Sequence, residues 1–259
     1  MPLKGFVCCQ GGKEVFEACL ERAAGGECKY PYPILAGMVN NIRADMGITV
    51  TQLLNCKRKV VLDQRRDIYV SPDQLWYAFR GQMFHNIAQS AALDDWVVEQ
   101  RFYRDIAGVT ISGQVDIIYP GRKLLQDYKT TKWIKDELVP YAEHALQANI
   151  YAWLVEPQYE IESMEIVYMD MNRVLVVPVE LMPRRSVVAK VAGRVRSLKR
   201  ALEGRKLPPK VDPDGLWQCH FCSHDTFCWR KGIPKPEELR KRQKRKMEAI
   251  QRARERKSS

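Results

Sequence analysis

The chain has 259 residues, is 46% hydrophobic and 28% charged, and carries a formal net charge of +11. A soluble single domain of this size, with small additions, buries roughly 70–75% of its unfolded surface and needs no covalent stapling. No run approaches the ~18 apolar residues of a membrane span, and the N-terminal MPLKGFVCCQGGKE lacks the apolar segment and cleavage site of a signal peptide, which points to an intracellular protein.

Residues 1–35 read as an irregular N-terminal extension carrying Cys8, Cys9, Cys19 and Cys28. A main domain is expected over 36–230 and a basic tail over 231–259. The stretch ITVTQLLNCKRKVVL predicts one helix capped by Thr49 or Thr51, with Leu53, Leu54, Val60 and Val61 on its apolar stripe. SPDQLWYAFRGQMFHNIAQSAAL predicts a second helix, capped by Ser71 with Pro72 at its first position. WVVEQRFYRDI, VTISGQVDIIY and RKLLQDYKTT read as strands, the last two forming a hairpin about Pro120-Gly121. AEHALQANIYAWLVE is an amphipathic helix burying Leu146, Ile150, Trp153 and Leu154. Two strands, IESMEIVYMDM and RVLVVPVEL, precede a helix over SVVAKVAGRVRSLKRALEG. This order predicts an α/β fold with a central mixed sheet flanked by helices. From Lys235 onward eleven Lys/Arg face four Asp/Glu. The tail therefore holds +7 of the total, and its EELRKRQKRKMEAIQRARERK reads as a charged helix or a disordered segment.

The hairpin places charge among apolar residues. Asp127 and Lys129 are two apart on a strand and share a face, with Tyr128 opposite, and Asp116 lies across the turn. Two converging carboxylates suit a hard divalent cation, and an ammonium beside them suits charge developing on phosphorus. The same residue types also admit a surface ion pair between Asp127 and Lys129 with Asp116 capping the turn. Gly81 stands one helical turn before His85 and is expected to admit another backbone closely. Gln147 and Tyr151 are four apart on one helix face, and Glu99, on the strand before the hairpin, is expected to add an outer carboxylate. Basic residues in CKRK and DQRR, and Arg194, Arg196, Lys199 and Arg200, are candidates for phosphate contacts. Trp217 and Phe221 are candidates for packing near the late cysteines or for stacking on unpaired bases.

Eight cysteines in an intracellular protein favour metal binding over disulfides. Cys219, Cys222 and Cys228 form C-x2-C-x5-C, a set that wants a fourth ligand, for which Cys56 is the candidate. His220 and His224 lie within the set, so the residue types alone leave zinc and iron–sulfur both open. Zinc is also open at Cys9, Cys19 and Cys28, with Cys8 a poorer fourth.

The succession Gly81 to His85, Gly113 to Asp116, Asp127 to Lys129 and Gln147 to Tyr151 resembles the RecB-like branch of the PD-(D/E)xK nucleases over roughly residues 36–230, in particular the CRISPR-associated exonucleases with an iron–sulfur cluster. The resemblance implies a restriction-endonuclease-like core. It implies Mg²⁺ or Mn²⁺ held by His85, Asp116, Asp127 and a backbone carbonyl, with Lys129 acting on the attacking water and Gln147 and Tyr151 lining the site. It further implies a [4Fe-4S] cluster on Cys56, Cys219, Cys222 and Cys228 tying the two ends of the domain together. Asp127 stands where many relatives have Glu. The implied activity is that of a DNA nuclease, an exonuclease on single strands or ends, serving repair and recombination, viral DNA processing or CRISPR adaptation. The alternative is a non-catalytic DNA-end-binding subunit that works with a helicase, recombinase or integrase.

Overall fold

The computed structural model describes residues 3–40, 42, 47–135, 139–241, 243–245 and 248. Most of the charged segment expected over 237–257 lies outside them. In chain order the elements are β1 (Leu3–Val7), β2 (Lys13–Val15), α1 (Phe16–Ala24), α2 (Tyr32–Asn40), β3 (Ile48–Thr49), α3 (Val50–Leu54), α4 (Lys57–Arg65), β4 (Ile68–Val70) and α5 (Pro72–Ser90). There follow β5 (Val97–Ile106), β6 (Val109–Tyr119), β7 (Leu124–Thr130), α6 (Ala142–Val155), β8 (Ser163–Met169), β9 (Val174–Val179), α7 (Arg184–Glu203), a 3-10 helix (Pro213–Phe221) and the short α8 (Asp225–Cys228).

The expected α/β fold with a mixed sheet is present. The main sheet runs β3-β6-β7-β8-β9, with β5 on the other edge of β6. The β6–β7 hairpin turns through a 3-10 segment, Pro120–Arg122, closed by Lys123 in the left-handed region (φ 49°). Its two strands pair antiparallel only from Ile117 to Tyr119 and from Leu124 to Gln126. On its other edge β7 pairs parallel with β8 from Leu124 to Thr130, with Asp127 opposite Ile166 and Lys129 opposite Tyr168. The helix α6 makes the crossover, as a parallel connection requires.

Helices α3, α6 and α7 bury their apolar stripes against the sheet around Ile111, Val115, Leu125, Ile150, Leu154 and Val191. Buried Asn149 pins α6 from inside, donating to Ala145 O (2.9 Å) and Glu180 O (3.1 Å) and accepting from Met182 N (2.7 Å). Helix α5 starts as expected. Ser71 Oγ accepts from Gln74 N (3.2 Å), Gln74 Oε1 accepts from Ser71 N (2.9 Å), and Pro72 fills the first turn.

Two expectations need correction. The helix expected from Thr49 to Leu62 is two helices. Thr49 caps α3 through a reciprocal box with Gln52, but the backbone turns extended at Asn55. Cys56 then starts α4, its N–H donating 2.8 Å to Gln218 Oε1. A contact 162 residues away supplies there what a continuing helix turn would have supplied. The N-terminal extension is not irregular either: β2, β1 and β4 form a second, three-stranded sheet. Buried Phe6, Cys19, Leu35 and Met38 make a small core under it, and Leu75 and Phe79 of α5 pack against that core.

Candidate active site and cysteine centres

The site grows from an irregularity shared by two strands. Glu99 lies in β5 with φ 52°, a left-handed conformation that is unfavourable for a residue with a side chain. Its neighbours Val98 and Gln100 pair with Ile117 and Val115, which sets Glu99 opposite Asp116. At the same place the side-chain alternation of β6 slips. Val115 belongs to the main core, yet Ile118, not Ile117, is the next residue to join it. Strain of this kind in mid-strand persists where surrounding contacts hold it, and it concentrates at functional sites.

Those contacts are specific. His85, from α5, meets Glu99 Oε1 at 2.5 Å and Asp116 Oδ1 at 3.3 Å through Nδ1. Gln114 Nε2 donates to the other oxygen of Glu99. Arg101 donates to Gln114 Oε1 (3.2 Å) and Ser112 Oγ (3.1 Å). The backbone N–H of Tyr128 donates to Asp116 Oδ2 at 2.6 Å, where β6 and β7 have stopped pairing with each other. Burial works against charge on His85, but Asp116 and Glu99 outweigh it and raise its pKa to about 10. The imidazolium thus sits where two carboxylates call for a cation.

Asp127 and Lys129 share a face as expected: Lys129 Nζ lies against Asp127 Oδ2 as an ion pair, while Tyr128 packs with Ile117 and Tyr119 on the opposite side. Asp127 is 1% exposed. Lys129 engages Oδ2, while the buried Oδ1 accepts no hydrogen bond, so the ion pair leaves the lone pairs of the carboxylate incompletely matched. Burial raises its pKa to about 6, against the pull of Lys129. Burial also opposes the charge of Lys129, yet Asp127 and Asp116 keep its pKa above the ordinary lysine value. The two acids thus favour its ammonium form. Gln147 Nε2 donates 2.8 Å to Tyr151 Oη.

All six residues of the sequence pattern, His85, Asp116, Asp127, Lys129, Gln147 and Tyr151, line one cleft of about 760 Å³. Glu99 was expected as an outer carboxylate. It stands instead in the inner group: the ligand atoms of His85, Glu99 and Asp116 all lie within 4.8 Å of one another, the one group of this kind among the described residues. Gln114, which holds Glu99, and Arg101, which holds Gln114, were missed, because nothing local in a strand marks a residue whose task is to orient its neighbour. The donor set fits a hard cation. It offers two carboxylates and an imidazole at ligand spacing, with a further buried carboxylate, Asp127, of which one oxygen accepts no hydrogen bond.

Cys56, Cys219, Cys222 and Cys228 line one small cavity of about 20 Å³, and all four are free thiols. Donors reach the sulfurs: Trp229 Nε1 to Cys219 Sγ at 3.3 Å and the His224 N–H to Cys222 Sγ at 3.4 Å. Burial raises the Cys222 pKa to about 11, partly offset by that His224 N–H. His224 is engaged elsewhere, its Nε2 2.8 Å from Asp63 Oδ1. Cys8, Cys9, Cys19 and Cys28 line a second cavity of about 10 Å³ together with Arg22. The sulfurs of Cys9 and Cys28 are 3.8 Å apart, and Arg22 Nη1 donates to Cys8 Sγ at 3.2 Å.

Several basic residues expected at phosphates serve the fold. Arg65 donates to the carbonyls of Leu202 (3.1 Å) and Arg205 (3.2 Å) at the C-terminal end of α7, where a cation also meets the helix dipole favourably. Arg194 donates to Leu53 O (3.0 Å) at the end of α3, and Arg58 to Pro208 O (2.7 Å). The Gly81 expectation is corrected too. A Cβ there would meet only Thr130 Oγ1, at an ordinary 3.5 Å.

Fold and cleft together define a class: an α/β domain that gathers carboxylates, a histidine and a lysine beside the strands of a mixed sheet. Residues 83–229, more than half of the chain, match the PD-(D/E)XK nuclease superfamily, and the chain belongs to that superfamily. No curated protein sequence matches it significantly. Among solved structures, the crystal structure of SSO0001 aligns over 83% of this chain and 96% of its own, at 18% identity and a TM-score of 0.52, a likeness of fold. A candidate exonuclease from Eubacterium rectale aligns over 84% of this chain and 88% of its own, at 14% identity and a TM-score of 0.37, too low to carry an argument. Among the described residues no helix is long and apolar enough to cross a membrane.

Proposed function

We propose that the chain is a deoxyribonuclease dependent on Mg²⁺ or Mn²⁺, acting on single strands or DNA ends. The observation that carries this reading is the convergence of His85, Glu99, Asp116, Asp127 and Lys129 in one cleft, where the buried Asp127 pairs with Lys129 through Oδ2 and its Oδ1 accepts no hydrogen bond. His85, Asp116 and Asp127, joined by Glu99, would hold the cation. When bound, such an ion polarises a phosphate oxygen and acidifies water. Lys129 keeps its proton and donates toward the phosphate, where negative charge grows during hydrolysis. Gln147 and the buried hydroxyl of Tyr151 line the wall contributed by α6. The test is digestion of end-labelled single-stranded and duplex DNA with Mn²⁺. Wild type cleaves and Asp116→Ala does not. Equal behaviour of the two sinks the reading, and absence of turnover with a co-purifying helicase, recombinase or integrase favours the scaffold alternative.

Cys56, Cys219, Cys222 and Cys228 are proposed to hold a [4Fe-4S] cluster. Four free thiols around one cavity, with N–H donors to their sulfurs and His224 engaged by Asp63, support it. Zinc at Cys9, Cys19 and Cys28, with Cys8 a poorer fourth, is the corresponding proposal for the N-terminal set. It is supported by their common cavity and the Cys9–Cys28 contact, and zinc retained after dialysis by wild type but not by Cys9→Ser/Cys28→Ser is its test.

A further inference from the structure

The cleft carries an aromatic pair that the catalytic pattern does not use. Tyr77 on α5 and Phe221 at the end of the 3-10 helix both line it. Their rings meet edge to face with centroids 6.1 Å apart, although 144 residues separate them in the chain. Both remain exposed, Tyr77 at 45% and Phe221 at 67%. Large apolar rings left in water inside a cleft call for a ligand, since burial against the core was available to neighbours such as Leu75 and Phe79. Phe221 sits between Cys219 and Cys222, so the cysteine centre fixes its position. Tyr77 lies on the helix that carries His85, two turns earlier, and Arg80 stacks over the Tyr77 ring at 5.4 Å.

We propose that Tyr77 and Phe221 form a clamp that stacks on the unpaired bases of a DNA strand as it runs into the cleft. The inference rests on the nuclease reading and deepens it by naming the single strand as the form recognised. The physical reason is that every base offers a flat π-face once it is unpaired, whereas in a duplex those faces are covered by neighbouring bases. Aromatic platforms therefore select for single strands without reading sequence. Lys59, which is paired with Asp63, and Arg101 also line the cleft and supply positive charge for the backbone of that strand. The cysteine centre acquires a role at the substrate: by holding Phe221 against Tyr77, it is a positioning element of the clamp.

The experiment compares wild type, Tyr77→Ala, Phe221→Ala, the double Ala variant and the conservative Tyr77→Phe. It measures binding of 2-aminopurine-labelled single-stranded and duplex oligonucleotides with Ca²⁺ replacing the catalytic cation, then kcat and KM with Mn²⁺. Each Ala variant should weaken single-strand binding by about ten-fold and raise KM by a similar factor. Duplex binding and kcat should change little, 2-aminopurine quenching should fall, and Tyr77→Phe should behave as wild type. Both rings are exposed, so unchanged melting curves will show that the variants fold. If wild type cleaves but the double variant binds single strands as tightly as wild type, the clamp alone is overturned. If wild type neither binds nor cleaves DNA, the nuclease reading and the clamp fall together.

Discussion

At the scale of single residues, Glu99 and His85 alter what the sequence pattern implied. Glu99 faces Asp116 across β5–β6 and meets His85 directly, so it stands at ligand distance and not outside the group. Glu99→Gln should weaken Mn²⁺ binding by about 10–100-fold, read by titration calorimetry. Because the two acids keep His85 protonated to about pH 10, a cation has to displace that proton. Mn²⁺ affinity should therefore rise with pH between 6 and 8, and the binding heat should depend on the ionisation enthalpy of the buffer. An affinity independent of pH would show that His85 is not displaced. A second histidine behaves oppositely. His144 meets Tyr168 Oη at 3.0 Å, and burial, with Lys129 nearby, lowers its pKa to about 4. A lowered histidine pKa means that the unfolded chain binds the proton first. The stability from neutral His144 is thus complete above about pH 6.5 and is lost as pH falls toward about 4. The loss is at most about 3 kcal/mol, lessened by partial exposure. Compared with wild type, His144→Gln should lose less thermal stability over that acid range.

Two glycines from the same sequence pattern separate at the scale of elements. A Cβ on Gly113 would approach Tyr151 Cε1 to 2.7 Å, Leu154 Cδ2 to 2.9 Å and Val50 Cγ2 to 3.0 Å. Helices α6 and α3 pack onto β6 only because that face is bare. Gly113→Ala should cost about 1–3 kcal/mol and displace Tyr151, lowering both Tm and activity. Gly81, inside α5, has room. Gly81→Ala should stabilise the protein by about 0.5–1 kcal/mol through helix propensity, measured by denaturant unfolding. Both changes look alike in sequence, and the opposite signs come from what lies opposite each Cα.

At the scale of the whole molecule, the cysteine centre joins α4 to the segment after α7. Cys56 and Cys219 are far apart in the chain yet share a cavity, and Cys56 N bonds to Gln218. A group bound there closes a loop of roughly 160 residues, which restricts the unfolded chain. Anaerobically purified wild type should be brown. Cys219→Ser should be colourless and melt several degrees lower, whereas a colourless wild type retaining zinc would rule out the cluster. Part of the positive charge in the described body is structural, since Arg58, Arg65 and Arg194 hold carbonyls at loop and helix ends.

The sequence by itself determined the α/β order, the Ser71 cap, the hairpin and the shared face of Asp127 and Lys129. These rest on local periodicity and capping chemistry, which act over a few residues. It also held the six-residue pattern that the fold brings into one cleft. Tertiary structure decided the rest. It broke the helix at Cys56, paired β1 with β4 in a second sheet, and moved Glu99 from the outer edge of the site to its centre. It also set Phe221 against Tyr77. Each of those outcomes depends on a partner from a distant part of the chain, or on a backbone conformation held by several such partners at once. Local residue preferences carry no information about partners that only folding brings together.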